Sequence, residues 1–379
     1  MISKAKANLQ YLFVCGSRGE WGYIRPIINE CIKQKIKYGI VLSNMVVVDK
    51  YGALNNEIKK EYNVIEEVDM SLEGSTHYTM VKSLNIFAIN FIETLKREKP
   101  EWVILAGDRG EQLISSICCS FCYIPCAHIQ AGERSGNIDN TSRLALARFS
   151  HLHLAANQDA YNRLIKSGEE KKRVFNVGAP QLDEITNGDY LDKHQFKKKY
   201  PNINNFFLVV FHPVTEEFNE LQLYIKNLCM ALDSFKEQKV WILPNNDAGS
   251  TIIKENILKH RNSDSIYFRN LSRHDYLGFL NSCKILLGNS SSGIIESPSF
   301  NKVSINIGNR QIDRIQSKLT INCGYSKNNI KQSIIKGLNK KINKIKNYPY
   351  GDGKTSKRIV KILNSTNVGN NFLVKKITY

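Results

Sequence analysis

The chain has 379 residues, of which 42% are hydrophobic and 23% charged; this excludes disordered and fibrous classes and exceeds what one hydrophobic core usually serves. No run approaches the roughly 20 apolar residues of a membrane span, and the first segment enters a strand without an apolar leader and cleavage site, so a cytoplasmic protein with no membrane partner is expected. The formal charge of +18 favours an anionic partner, but the basic runs lack interleaved stacking aromatics, which argues against nucleic acid.

Apolar runs rich in β-branched residues open at 11–17, 38–44, 101–108, 125–132, 151–157 and 173–179, each followed by a polar or Gly-containing turn and then a helical pattern. Strands apolar throughout, alternating with helices, predict a parallel sheet covered on both faces. The pattern restarts at 206–214, 239–247, 265–270, 283–292 and 302–308, with helices near 216–236, 250–260, 273–282 and 293–299. The expectation is an α/β protein of two Rossmann-like, doubly wound parallel-sheet domains facing across a cleft, residues 1–177 and 178–350, hinged near 177–184 where Gly178 and Pro180 punctuate the chain. Nine cysteines, odd in number and mostly inside apolar runs, read as reduced core thiols. Cys118, Cys119, Cys122 and Cys126 are close in sequence, but no second pair or His partner at ligand spacing follows, so no metal is expected.

Ligands of such sheets bind beyond the carboxyl ends of the strands, which directs attention to the polar residues there. After the first strand come Gly16, Ser17, Arg18 and, further on, Arg25; glycines admit a ligand close to the backbone, and the arginines suit phosphate at a helix start, with a tight turn bearing solvated arginines as the alternative. Asp108 and Arg109 follow another strand, as either an ion pair or a functional pair. The next strand leads through His128 to Glu133 and Asp139, so three carboxylates gather near neighbouring strand ends, where acid and base roles are set by environment. In the second half, His212, then Asn245 and Asp247, then Ser290, Ser291, Ser292, Gly293 and Glu296 follow successive strands. The hydroxyls and first-turn amides form a cradle for a diphosphate, with Glu296 placed to hold ribose hydroxyls; an ordinary serine cap is the alternative.

Taken together, nine segments resemble the hydrolysing branch of the UDP-N-acetylglucosamine 2-epimerases: G-S-R-x-E-x-G, G-D-R-x-E, H-I-x-x-G-E-x-S-G-x-I-D, S-H-L-H, V-G-A-P-x-L-D, H-P-V-T, P-N-x-D-A-G-S, G-N-S-S-S-G-I-I-E-x-P-S-F and I-N-I-G-x-R-Q, in that order from residue 16 to 311. The resemblance implies a glycosyltransferase-B-like fold, residues 351–379 packing back on the N-terminal domain, no metal or redox cofactor, and a homodimer or homotetramer. It implies a UDP-linked N-acetyl amino sugar as substrate in sialic-acid-type synthesis. A carboxylate removes the C2 proton, UDP leaves to give a glycal, and water adds to release N-acetylmannosamine and UDP. Asp108, Glu133 and Asp139 become the acid/base candidates with His128 and Arg109 beside them. Arg18, His212, Ser290, Ser291 and Arg310 become diphosphate ligands, Glu296 the ribose ligand, and Asn245 and Asp247 neighbours of the uridine or sugar. UDP-N,N'-diacetylbacillosamine is an alternative substrate, and a UDP-sugar glycosyltransferase of the same fold an alternative activity. Val46, Asn140 and Leu144 stand where the family usually has His, an acidic residue and His; the missing imidazoles point to a positioning role for them in the family, to a differently substituted sugar with a less polar edge, or to weak turnover.

Overall fold

The structure, a computed structural model, describes residues 7–49, 52, 54–72, 76–134, 139–244, 247–260, 264–342 and 348–378, the side chains of residues 77, 139 and 370 excepted. The chain divides into two compact units, the first Met1–Glu133, Asp139–Asp183 and Tyr350–Tyr379, the second Glu184–Pro349 with Arg134–Ile138.

The first unit is built on seven parallel strands, β1 (Tyr11–Cys15), β2 (Tyr38–Ser43), β3 (Val64–Val68), β4 (Trp102–Ala106), β5 (Cys126–Ile129), β6 (Leu152–Ala155) and β7 (Val174–Asn176), in the order 3-2-1-4-5-6-7. The first six follow the dinucleotide-fold order, which reverses direction between β1 and β4. Every residue of β1 is buried, because both faces of the sheet are covered. Alternation sends Leu12 and Val14 to one layer with Phe87, Phe91 and Leu105, and Phe13 and Cys15 to the other with Ile24, Ile28 and Ile104. Each such side chain contributes about 1.5–3 kcal/mol by leaving water. The helix Thr355–Ser365 completes the second layer through Ile359, Val360 and Leu363, and its first amides, those of Thr355 and Ser356, donate to Asp183 at 2.9 and 2.7 Å.

The second unit holds six parallel strands, β8 (Phe206–Val210), β9 (Gln238–Ile242), β10 (Ser265–Phe268), β11 (Ile285–Gly288), β12 (Val303–Ile307) and β13 (Thr320–Cys323), ordered 10-9-8-11-12-13. Again the central strand splits its side chains, Phe207 and Val209 into one layer and Phe206, Leu208 and Val210 into the other. The helix expected near 293–299 is one α turn, Ser292–Ile295, followed by a 3-10 turn, Ser297–Phe300. No described helix is long and apolar enough to cross a membrane. All nine cysteines are unpaired, and among the described residues no three His, Cys, Asp or Glu side chains group to hold a metal ion.

Candidate active site

In the first unit the carboxyl ends of β1, β4, β5 and β6 carry the polar groups. Ser17 caps the helix Arg18–Lys33, accepting the Glu20 amide at 3.2 Å, and so fixes Arg18 as the first helical residue beside the end of β1. Arg25 lies two turns further along, with Nε donating to the Tyr62 hydroxyl at 3.2 Å. Seven residues at 1.5 Å rise separate it from Arg18 by about 10 Å.

After β4 the chain turns through Gly107, whose φ of 84° suits glycine, and presents Asp108. The buried Arg143 donates from Nη2 to Asp108 and from Nη1 to the Gln130 carbonyl at 2.6 Å, linking the ends of β4 and β5. Arg109 pairs instead with Glu111, Nε to Oε1 at 3.3 Å. His128 lies inside β5, wholly buried, and its Nε2 donates to the Gly107 carbonyl at 2.6 Å. Burial, and then the nearby Arg143 charge, lower its pKa to about 3, so the ring stays neutral at ordinary pH. In this geometry it braces the Gly107 turn beside the acid/base candidates. Glu133, 4% exposed, accepts the side-chain amide of Asn157, whose oxygen caps the next helix by accepting the Ala160 amide at 2.9 Å. Asp139 begins the helix Asp139–Phe149; its side chain lies outside the described residues.

A second acidic pair, absent from the expected site, sits at the ends of β1 and β4. Gly16 donates its amide to Glu20 Oε2 at 2.6 Å, and Asn44, at the end of β2, donates to Glu111 Oε1 at 3.0 Å. Both acids are buried, and the spacing of Glu20 three residues after a capping Ser was the signal available for one of them. Val46 and Leu144, at the family's histidine positions, go elsewhere. Val46 packs in the apolar layer with Trp21, Leu54 and Ile58, while Leu144 is 55% exposed.

In the second unit Asn289, fully buried, ties three strand ends together. It accepts the His212 amide at 2.7 Å, donates to the His212 carbonyl at 2.8 Å, and through its own carbonyl accepts Arg310 Nη1 at 3.2 Å and Gln311 Nε2 at 3.1 Å. Gly288 precedes it with φ 127°, and a Cβ there would lie 2.0 Å from the Val210 carbonyl oxygen, so only glycine lets β11 end against β8. The following serines differ from the expected cradle in one respect. The amides of Ser292, Gly293 and Ile294 are engaged within the turn, by Ser290 Oγ at 3.4 Å, the Ser290 carbonyl at 3.1 Å and the Ser291 carbonyl at 3.0 Å, so the hydroxyls rather than these amides are the groups on offer. Ser290 and Ser292 hydroxyls are 3.0 Å apart, and Ser292 also bonds Tyr276.

Glu296 is buried and held by Arg273, which donates from Nη2 to Glu296 at 2.5 Å and from Nε to Glu184 at 2.7 Å. Sequence reasoning missed Arg273 because it opens a helix after a half-exposed strand, β10, with no motif around it. Asp247 is buried near the start of the helix Ser250–Lys259, and its carbonyl accepts the Ser250 amide at 3.0 Å; Asn245 lies outside the described residues.

Known proteins align with this arrangement over nearly its full length. A family model described as UDP-N-acetylglucosamine 2-epimerase matches residues 30–364. A UDP-N,N'-diacetylbacillosamine 2-epimerase (hydrolyzing) of Legionella pneumophila is 32% identical, covering 97% of this chain and 99% of that protein. A UDP-N-acetylglucosamine 2-epimerase of Neisseria meningitidis serogroup B is 29% identical, covering 85% and 86%. Among solved structures, that of the Methanocaldococcus jannaschii UDP-GlcNAc 2-epimerase in complex with UDP-GlcNAc and UDP has the same fold, with a TM-score of 0.81 at 19% identity over 94% of this chain and 99% of that one.

Proposed function

This chain belongs to the UDP-N-acetylglucosamine 2-epimerase family, and from that premise we propose that it is a hydrolysing 2-epimerase of a UDP-linked N-acetyl amino sugar. The observation that supports this most is the pair Asp108 and Glu133 at the ends of adjacent strands, each held by a donor fixed in the fold, Arg143 and Asn157. The C2 hydrogen beside an acetamido carbon is very weakly acidic. Its removal needs a positioned carboxylate, stabilisation of the departing diphosphate by positive charge, and exclusion of bulk water. In this reading Asp108, Glu133 and Asp139 share the acid and base duties. UDP departs as the C1–O bond breaks, a glycal forms, and water adds at C1 while a proton returns to C2. Arg18, His212, Ser290, Ser291 and Arg310 take the diphosphate and Glu296 the ribose. No metal or redox cofactor enters the scheme.

The Legionella relative, with its higher identity and almost complete coverage, moves UDP-N,N'-diacetylbacillosamine ahead of UDP-N-acetylglucosamine as the proposed substrate. Purified protein incubated with each sugar nucleotide in heavy water should release UDP and a free sugar carrying deuterium at C2. Asp108→Asn and Glu133→Gln should each lower turnover by about 10²-fold or more while UDP affinity stays within a factor of about two. UDP release only on addition of a sugar acceptor would transfer the protein to the glycosyltransferases; tight UDP binding without turnover of either substrate would make it a binding protein.

Self-association is part of the proposal. Tyr78, Val81, Ile89 and Ile92 lie exposed along one face of the helix His77–Glu98, an apolar stripe of a kind that usually meets a partner. Sedimentation should give a dimer or tetramer, reduced to monomer by Ile89→Glu.

A further inference from the structure

Glu20 and Glu111 are 2% and 1% exposed and flank a single backbone position. Gly16 donates its amide to Glu20 Oε2 at 2.6 Å, and a Cβ on Gly16 would lie 2.0 Å from Glu111 Oε1. Their surroundings differ. Glu111 forms an ion pair with Arg109, Nε to Oε1 at 3.3 Å, and accepts Asn44 Nδ2 at 3.0 Å. Glu20 has the Gly16 amide on one oxygen, while its Oε1 is buried with no hydrogen-bond partner among the described residues. The titratable and charged groups that face it are Glu111 and Asp108, both acids, Arg109, and the Cys15 thiol at the end of β1.

An ionised carboxylate with one dry, unpartnered oxygen is costly, and a second carboxylate beside it makes ionisation costlier still. Burial first, and Glu111 second, accordingly push the Glu20 carboxyl well above the usual carboxylate range.

We infer that Glu20 is kept as the neutral carboxylic acid and serves as a positioning residue: uncharged, it does not draw Arg109 away from Glu111, so that Arg109 is held on Glu111 immediately after the acid/base candidate Asp108. Ionised Glu20 competes with Glu111 for Arg109 and turns the strand end towards a surplus of negative charge, into which a diphosphate has to come. This assignment of a role rests on the reaction proposed above; the protonation itself does not.

The experiment compares wild type, E20Q and E20A as full-length protein, with circular dichroism and UDP binding as checks of folding. The infrared carbonyl band of a protonated carboxyl is expected in wild type at neutral pH and is expected to be lost in E20Q. With the preferred UDP-sugar, E20Q, which mimics the neutral acid, should retain kcat to within about threefold, whereas E20A falls by about tenfold or more. The alkaline fall in kcat of wild type, where Glu20 ionises, should be displaced to higher pH in E20Q. Infrared spectra of wild type and E20Q that coincide, or a folded E20Q as deficient as E20A, would overturn the inference. A band difference in protein that turns over neither UDP-sugar supports the protonated Glu20 and counts against the proposed reaction alone.

Discussion

Asn157 is oriented by one of its bonds for the sake of the other: its side-chain oxygen accepts the Ala160 amide, so its NH2 group faces Glu133. The N-cap of an ordinary helix thereby aims a proposed acid/base carboxylate. Asn157→Asp keeps the cap but sets a carboxylate against Glu133. Turnover should fall by about tenfold or more at neutral pH with the melting temperature little changed. Asn157→Ala should lose about 1 kcal/mol of stability with the cap. Steady-state kinetics and calorimetry on both variants separate the two effects.

Arg273 spans two buried carboxylates, and its forked guanidinium is the only basic side chain with the geometry to do so. Arg273→Lys should retain the fold and weaken UDP binding by about tenfold, because one ammonium serves one acid well and releases the other. Arg273→Ala leaves Glu184 and Glu296 uncompensated and should destabilise the protein by about 3–5 kcal/mol. Titration calorimetry with UDP, together with thermal unfolding, reads both.

Restoring the family's imidazole at position 46 should do harm. Val46 is 1% exposed among apolar neighbours, so Val46→His buries a polar ring without an evident partner and should cost about 1–3 kcal/mol in unfolding free energy with no gain in kcat. A rise in turnover would show that the residue reaches the substrate after all.

Two buried histidines should make stability fall in acid. Burial lowers His128 to about 3 and His153 to about 4. Both are therefore neutral in the fold, and their contribution is intact above the unfolded value near 6.5 and is lost as pH falls from there towards 4, at about 1.4 kcal/mol per pH unit for each ring. Glu169 adds to the same trend at lower pH: although burial works against it, His153 and Lys375 hold it at about 2, so its contribution is present above the ordinary carboxylate value and is lost progressively as pH falls from there through about 2. Melting temperatures should hence decline between pH 6.5 and 4, and His153→Gln should flatten that slope.

How far the sequence disclosed this depended on burial. Strands enclosed on both faces, such as β1, β4 and β8, are unbroken apolar runs and stand out. The edge strands β3, VIEEV, and β13, TINC, escaped notice, since half-exposed positions there carry Glu, Asn and Thr and erase the run. Residues attached to strand ends, Asp108 and Glu133 among them, could be singled out as candidates from position. Asn157, Arg273 and Glu20 were not, because what distinguishes them is a partner remote in sequence or an environment: Glu184 lies 89 residues from Arg273, and Glu20 looks like any capping-box acid until its neighbours are known. The amides of residues 292–294 were misjudged for a related reason, the length of a helix being decided by packing that a local pattern does not contain.

The bonds from Thr355 and Ser356 to Asp183 mean that the first unit is not a continuous stretch of chain. On the ribosome, residues 184–349 emerge before Ile359, Val360 and Leu363 exist to seal the layer around Ile24 and Ile28. The later-encoded half is thus free to complete its core first, while the earlier half waits with an apolar face open to water. Gene fragments ending near residue 183 inherit that open face, and a soluble excised version of this half requires a linker that carries the chain from 183 directly to 350.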